Sequence, residues 1–91
     1  MKYVKYFCGS IVNIQKSSDG YTILTVAKDV SNIYTYMVLV ASDKTLVING
    51  DCNEINLDDL NLRDVVFAYH SNAMTRSIPP QSTVYIIEVK N

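Results

Sequence analysis

The feature that most constrains the fold of this chain is its division into short runs of strand-forming residues separated by turn signals. Tyrosine, valine, isoleucine and threonine dominate these runs, and such residues favour strands over helices. The dipeptides Asp19-Gly20 and Asn49-Gly50 lie between apolar runs, where they are typical of tight hairpin turns. The pattern therefore predicts an all-β protein.

Five main strands are expected, at residues 3–15, 21–28, 33–41, 65–70 and 82–89, with a shorter one at 45–48. The first strand is long and has Gly9 in its middle, and a glycine inside a strand indicates a bulge or a sharp bend. The third strand is apolar on both faces, which is typical of a central strand. Met37 lies on one of these faces, and Tyr34 and Tyr36 share the other.

The segment at residues 51–64 is acidic and differs from the strands around it. Asn56 is expected to cap one short helical turn, which places Leu57 and Leu60 as a plug at one end of a barrel. The order of elements predicts a single domain, residues 1–91, which is mostly β. Its expected fold is a five- to six-stranded antiparallel barrel of the oligonucleotide/oligosaccharide-binding (OB) type with one short helical turn. A partly open five-stranded sandwich fits the pattern nearly as well.

Composition excludes several classes of protein. The chain is 48% hydrophobic and 19% charged, a balance that favours a folded domain over a disordered one. The net charge is −1 and the eight basic residues are scattered, so a nucleic-acid partner is not expected. No apolar run approaches the length of a membrane span, and no apolar region follows the basic N-terminus. A cytoplasmic protein is the resulting expectation.

The chain has two cysteines, Cys8 and Cys52, whose separation is not that of a metal-binding pair. Two free thiols are expected, with a single disulfide as the alternative. The acidic residues of the 51–64 segment lack the spacing of a calcium-binding loop. Neither a metal ion nor a cofactor is expected.

Three stretches of the chain resemble a small OB-like β-barrel domain that occurs in uncharacterised proteins of Gram-positive bacteria. They are Leu57-Asp58-Asp59-Leu60, Asp64-Val65-Val66-Phe67-Ala68-Tyr69-His70 and Met74-Thr75-Arg76-Ser77-Ile78-Pro79-Pro80-Gln81-Ser82. Those domains pair an L-x-D-L segment with a strand and an R-S-x-P-P-Q loop, and they occur alone or attached to secreted proteins. They commonly carry Gly-Asp before the fourth strand, where this chain has Arg63-Asp64. The resemblance implies a barrel fold and carries no assigned activity.

The loop at residues 71–81 is the first candidate site, because the connection between the last two strands of an OB barrel flanks the usual ligand face. Two prolines stiffen this loop and lower the entropy that binding would cost. Its arginine offers a planar fork to an anion, and its apolar side chains are candidate anchors. The alternative is that the apolar side chains cap the barrel and the arginine pairs with a local acid. The candidate residues are Met74, Thr75, Arg76, Ser77, Ile78 and Gln81.

Three aromatic or titratable residues complete the candidate surface. Tyr34 and Tyr36 are interpreted as neighbours on one sheet face, where aromatic rings stack on bases or sugars or simply pack across strands. His70, the only histidine, ends the fourth strand beside the loop. A structural role is expected for it, since one histidine near serines is weak evidence for catalysis.

The chain is therefore predicted to be a non-catalytic binding or interaction module that uses the 71–81 loop and an adjoining tyrosine-bearing sheet face. Its expected partner is a protein or a peptide, which an exposed strand edge would accept; a second copy of the chain is another candidate for that edge. The alternative is a domain that binds single-stranded nucleic acid or an oligosaccharide. A small hydrolase that uses His70 is the least favoured interpretation, and no catalytic residue is assigned.

Overall fold

The structure is a computed structural model that describes residues 4–90, with side chains from Lys5 onwards. The expected start of the first strand at Tyr3 lies outside the described residues. Two single 3-10 turns, Ile33–Thr35 and Leu57–Asp59, are the helical elements of the described part. The strands are β1 (Val4–Lys16), β2 (Thr22–Ala27), β3 (Tyr36–Ala41), β4 (Leu46–Ile48), β5 (Glu54–Ile55), β6 (Val65–Ser71) and β7 (Gln81–Lys90).

Five of these strands close into a barrel in the order β1-β2-β3-β7-β6. The first half of β1 pairs with β6 and its second half pairs with β2, so the longest strand serves two neighbours. Closure comes from a parallel pairing in which Val38–Val40 of β3 lie beside Gln81–Thr83 of β7. The predicted small OB-like barrel is confirmed.

Two details of the sheet differ from the expected all-antiparallel arrangement. The β3–β7 and β4–β7 pairings are parallel. A short strand that was not expected, β5, pairs with β4 through Val47 and Ile55. Local turn signals specify hairpins, which are antiparallel, whereas parallel neighbours come from distant parts of the chain. The sequence pattern therefore had no signal for the two parallel contacts.

The core lies inside the barrel and consists mainly of alternate residues of β2, β3, β6 and β7, with Ile11 of β1 and Val47 of β4. One end is closed by the acidic segment, as predicted: Leu60 is 5% exposed and Leu57 packs against the core from the 3-10 turn. The backbone N–H of Asn56 donates to the Asp59 carboxylate over 3.0 Å, which holds the start of this turn. The most deeply buried large side chains are Ile11, Leu24, Val26, Leu39, Val47, Val66, Val84 and Ile87.

Gly9 allows β1 and β2 to approach each other closely. A Cβ atom at Gly9 would lie 2.4 Å from the carbonyl oxygen of Ala27, closer than non-bonded atoms come. The register shift of β1 falls between Ile11 and Asn13 instead. The predicted irregularity in β1 is therefore present, but the bulge lies beyond the glycine.

Two turns bring the chain back to β1. Gly20 has a φ of +88° in the turn between β1 and β2, a conformation that glycine adopts without strain. Arg63 has a φ of +75°, and its N–H donates to the carbonyl of Ile11 over 2.8 Å. A side chain in this region is disfavoured, so the contact with β1 is made at a cost in backbone energy.

The predicted third strand begins three residues too early. Residues Ile33–Thr35 form a 3-10 turn, because the Asn32 side chain accepts from the N–H of Tyr34 over 3.0 Å and caps it. Tyr34 therefore lies on this turn, and β3 starts at Tyr36. The interpretation of Tyr34 and Tyr36 as neighbours on one strand face is wrong, since only Tyr36 belongs to the strand.

Both cysteines are free thiols, and Cys52 is exposed. Across the described range no helix is long and apolar enough to cross a membrane.

Candidate functional site

In the part of the chain that the structure describes, the end of the barrel away from Leu60 carries a groove of about 470 Å³. It lies where β1 begins, where β2 ends and where the 71–81 loop leaves β6. We call it the mouth groove. As far as residues 4–90 show, the lining contains two lysines and no carboxylate. The lining residues are Lys5, Tyr6, Phe7, Lys28, Tyr34, Thr35, Tyr36, Met37, His70, Met74 and Pro80.

Aromatic side chains dominate the β1 side of the mouth groove. The ammonium group of Lys28 lies 5.1 Å from the centre of the Phe7 ring, a distance at which a cation is attracted to the ring face. Tyr6 stacks on Phe67 with ring centres 5.1 Å apart and planes 11° from parallel. Tyr6 and Tyr34 nevertheless remain 66% and 78% exposed, so both rings are available to a ligand.

Hydrogen bonds order the connection between β2 and β3, which carries Tyr34. The Thr35 hydroxyl donates to the carbonyl of Asp29, and the Tyr36 hydroxyl donates to the carbonyl of Val30 over 2.6 Å. The Ser31 hydroxyl and N–H both donate to the Asp29 carboxylate and lower the pKa of that group. Tyr34 is thus presented on a fixed turn, while the Tyr36 hydroxyl is already engaged within the chain.

The 71–81 loop is held by its own polar side chains. The N–H of Thr75 donates to the carbonyl of Gln81 over 3.0 Å, and the N–H of Gln81 donates to the Thr75 hydroxyl over 2.9 Å. The Ser77 hydroxyl donates to the carbonyl of Pro79, and the N–H of Val38 donates to that of Pro80. The side chains of Thr75 and Ser77 therefore shape the loop, and Gln81 joins it through its backbone.

The apolar side chains of the loop face solvent. Met74 is 39% exposed and Ile78 is 65% exposed, so neither caps the barrel. Arg76 is exposed, and over residues 4–90 it forms no salt bridge. The alternative in which these residues pack locally does not describe the loop.

Met74 is the residue that connects the loop to two grooves. It lines the mouth groove and also a second groove of about 510 Å³ on the outer side of the barrel. We call the second one the side groove; its lining includes Tyr21, Val40 and Gln81. Neither Arg76 nor Ile78 lines either groove. The structure thus brings Met74, His70, Tyr34 and Tyr36 together at the mouth groove and leaves Arg76 and Ile78 apart from it.

His70 lies in the floor of the mouth groove and is 2% exposed. Its Nδ1 lies 2.7 Å from the carbonyl oxygen of Ser71, and because a carbonyl only accepts, Nδ1 carries the hydrogen. The nearby Ser82 hydroxyl donates to the carbonyls of Ser71 and Ala73. In the part of the chain that the structure describes, no serine or threonine hydroxyl bonds to the imidazole, so no nucleophile and base are paired there.

Outside the 71–81 loop, six residues of the mouth groove are not among the site residues predicted from the sequence: Lys5, Tyr6, Phe7, Lys28, Thr35 and Met37. The run Lys5-Tyr6-Phe7 combines a cation with two aromatic rings at the start of β1, and this was the available signal. Lys28 gave none, because its place beside Phe7 depends on how β2 meets β1.

Among residues 4–90 no group of three His, Cys, Asp or Glu side chains converges in a way that could hold a metal ion. A comparison of the chain with family models and with curated proteins found no match.

Proposed function

We propose that this chain is a non-catalytic binding module that takes a protein segment across Met74. The observation that carries the proposal is the position of Met74, which is exposed on a hydrogen-bonded loop and lines both grooves. A methionine side chain is flexible and polarizable, so it adapts to apolar partners. A loop that is already ordered loses little entropy when a ligand binds.

The composition of the two grooves supports a peptide as the ligand. The side groove has Tyr21, Val40 and Met74 beside the hydroxyls of Thr75 and Thr83, a mixture of apolar contacts and a few polar groups that is typical of a ligand site. The two grooves share Met74 in their linings. An extended segment that contacts Met74 could reach both grooves, whereas a compact small molecule would occupy one.

Single-stranded nucleic acid is the second candidate, and the mouth groove supplies the observation that favours it. Exposed tyrosines beside Lys5 and Lys28 are the groups that stack bases and neutralise phosphates. Two lysines are few for a strand that carries a charge on each nucleotide, and the net charge of the chain is −1. These charges favour the peptide.

We also propose that the chain belongs with the small Gram-positive barrel domains that its sequence resembles. The support comes from Arg63, which occupies the position where those domains commonly carry glycine. Its φ of +75° is the conformation for which glycine is preferred. This chain therefore differs from those domains in the residue type at this position, while its backbone has the conformation that a glycine would favour there.

The test is a selection of random peptides displayed on phage against the folded chain, followed by affinity measurements on the enriched sequences. We expect binding in the micromolar range, and we expect Met74→Asp to weaken it by about tenfold or more, as for a central interface residue. Leu62→Asp is the matched control, because Leu62 is also an exposed apolar residue, at 57%, and lines neither groove.

Failure of every peptide to bind would contradict the proposal, and so would peptides that bind Met74→Asp as well as they bind the unchanged chain. An oligothymidine that binds more tightly than the peptides, with an affinity that falls steeply as salt is added, would replace the peptide with nucleic acid.

A further inference from the structure

The first half of β1 has one unpaired edge. Residues Val4–Ser10 pair with β6 along one side, whereas β2 pairs with β1 only from Ser10 onwards. Over the described residues, no strand lies along the other side of Val4–Gly9. We call Val4–Cys8 the open edge. In an antiparallel ladder alternate residues direct their N–H and C=O groups to opposite sides, so every second residue of the open edge offers both groups to a new partner.

The open edge borders the mouth groove, and the course of β2 explains why. β2 runs antiparallel to β1 as far as Ala27, whose carbonyl closely approaches Gly9, and the chain then turns away into the 28–35 connection. Among residues 4–90, no strand therefore takes the position that β2 would occupy if it continued. Lys5, Tyr6 and Phe7 line the groove from the β1 side, and Lys28 and Tyr34 line it from the other.

From this arrangement we propose that an extended acidic peptide binds along the open edge as an added β-strand in the mouth groove. The inference rests on the proposed function and specifies how the ligand is held. Main-chain hydrogen bonds to β1 would supply the pairing, which is how peptides add to the exposed edge of a sheet. Residues pointing to one face of the added strand would meet Phe7, and those on the other would meet Tyr6.

Charge decides which strand the edge accepts. Lys5 and Lys28 line the groove, and none of the described residues brings a carboxylate to it, so glutamate or aspartate side chains on the added strand find opposite charges on both walls. A second copy of this chain would instead bring its own Lys5 against the same groove. Lysine on a free edge opposes pairing between like edges, which disfavours self-association here and favours an acidic partner.

The experiment titrates the full ¹⁵N-labelled chain with a blocked peptide of about six residues, the length of an ordinary strand, in which glutamate alternates with valine around one phenylalanine. We expect chemical-shift changes at residues 4–8, 28 and 34, and slower hydrogen exchange at alternate amides of the open edge. Lys5→Glu combined with Lys28→Glu should weaken binding by about tenfold or more. Lys44→Glu, an exposed lysine outside the mouth groove, is the control and should leave binding unchanged.

Two further peptides separate strand addition from charge attraction. The same sequence with alternate amides N-methylated keeps its charge and loses half of its main-chain donors, so we expect it not to bind. The version with lysine in place of glutamate should not bind either. A methylated peptide that binds equally well, or shift changes confined to residues outside the mouth groove, would overturn the inference.

The outcomes also separate this inference from the proposed function. If the glutamate peptide does not bind while phage-selected peptides still depend on Met74, strand addition is wrong and the binding module stands. If the phage selection yields no binding peptide, the proposed function is contradicted, and the inference that rests on it is contradicted with it. If oligothymidine competes with the glutamate peptide and binds more tightly, Lys5 and Lys28 bind phosphates, and the proposal of a peptide ligand is wrong.

Discussion

The two ends of this barrel differ in what closes them. At one end Leu57 and Leu60 are driven into the core by a short capped turn. At the other end, within residues 4–90, no helical turn or strand is packed as a plug: His70 and Met37 form the floor of a groove whose lining includes Tyr6, Tyr34 and Met74. A small barrel has one core to stabilise it, and here the plugged end adds to that core while the open end leaves apolar side chains in solvent. We therefore expect stability to depend mainly on the plugged end and the proposed binding to depend on the open end.

The largest contrast is expected between Leu60 and Met74. Leu60→Ala removes a buried side chain, 5% exposed, and should lower the free energy of unfolding by about 2–4 kcal/mol. Met74→Ala should change it by about 0.5 kcal/mol or less, since surface changes rarely do more. Urea denaturation of both variants measures this. Leu62→Ala is the control from the same segment as Leu60, and it should behave like Met74→Ala; equal losses for Leu60 and Met74 would remove the distinction between the ends.

Gly9 lies on β1 between the open edge, which ends at Cys8, and the part of β1 that pairs with β2. Gly9→Ala places a Cβ atom 2.4 Å from the Ala27 carbonyl oxygen, and because that oxygen is backbone, the strands must separate. We expect a loss of about 1–3 kcal/mol in the free energy of unfolding, measured by thermal or urea denaturation. An unchanged midpoint would mean that β1 and β2 are not in close contact at Gly9.

Arg63 tests the turn that leads from the plug back to β1. Its φ of +75° is unfavourable for any residue with a Cβ atom, so Arg63→Gly should raise the free energy of unfolding by about 0.5–1 kcal/mol, after the entropy that glycine adds to the unfolded chain. Arg63→Ala keeps the Cβ atom and should bring no such gain. If Arg63→Ala raises the free energy of unfolding as much as Arg63→Gly does, the gain comes from removing the arginine side chain and not from relieving the backbone conformation.

The smallest effect concerns Asp29 at the mouth. Hydrogen bonds from Ser31 lower its pKa below the ordinary value of 3.8, so the folded state releases this proton more readily than the unfolded state does. Its contribution to stability is present above the ordinary pKa and is lost as the pH falls through the lowered one. We expect Asp29→Asn to reduce the melting temperature slightly at neutral pH and to have no effect at pH values below that range. A difference that grows on acidification would contradict the sign.

The fold was largely predictable from the sequence, because alternation and turn residues specify hairpins locally. The plug was predictable as well, since Leu57 and Leu60 follow Asn56 in a segment unlike its neighbours, although the start of the turn is held by the Asp59 carboxylate and not by the Asn56 side chain. The parallel contact of β3 with β7 was not, because it joins segments about forty residues apart that have no turn in common. The 3-10 turn at residues 33–35 was hidden by strand-forming residue types, and the cap at Asn32 prevailed over their propensity.

The candidate site was predictable in part. Met74 could be singled out as an apolar residue in a polar, proline-stiffened loop. The other wall of the mouth groove was not, because it depends on where β2 turns away from β1. The open edge exists because β2 turns away from β1 at this point. The position of that turn depends on the whole barrel and not on a local sequence motif.

The most direct test of the account is an NMR titration of the labelled chain with the tightest phage-selected peptide, in which the shifted amides are mapped onto the two ends. We predict shifts at the mouth, in residues 4–8, 28–37 and 70–75, and none in the plug at residues 56–62. Shifts centred on the plug, with the mouth unperturbed, would contradict the account.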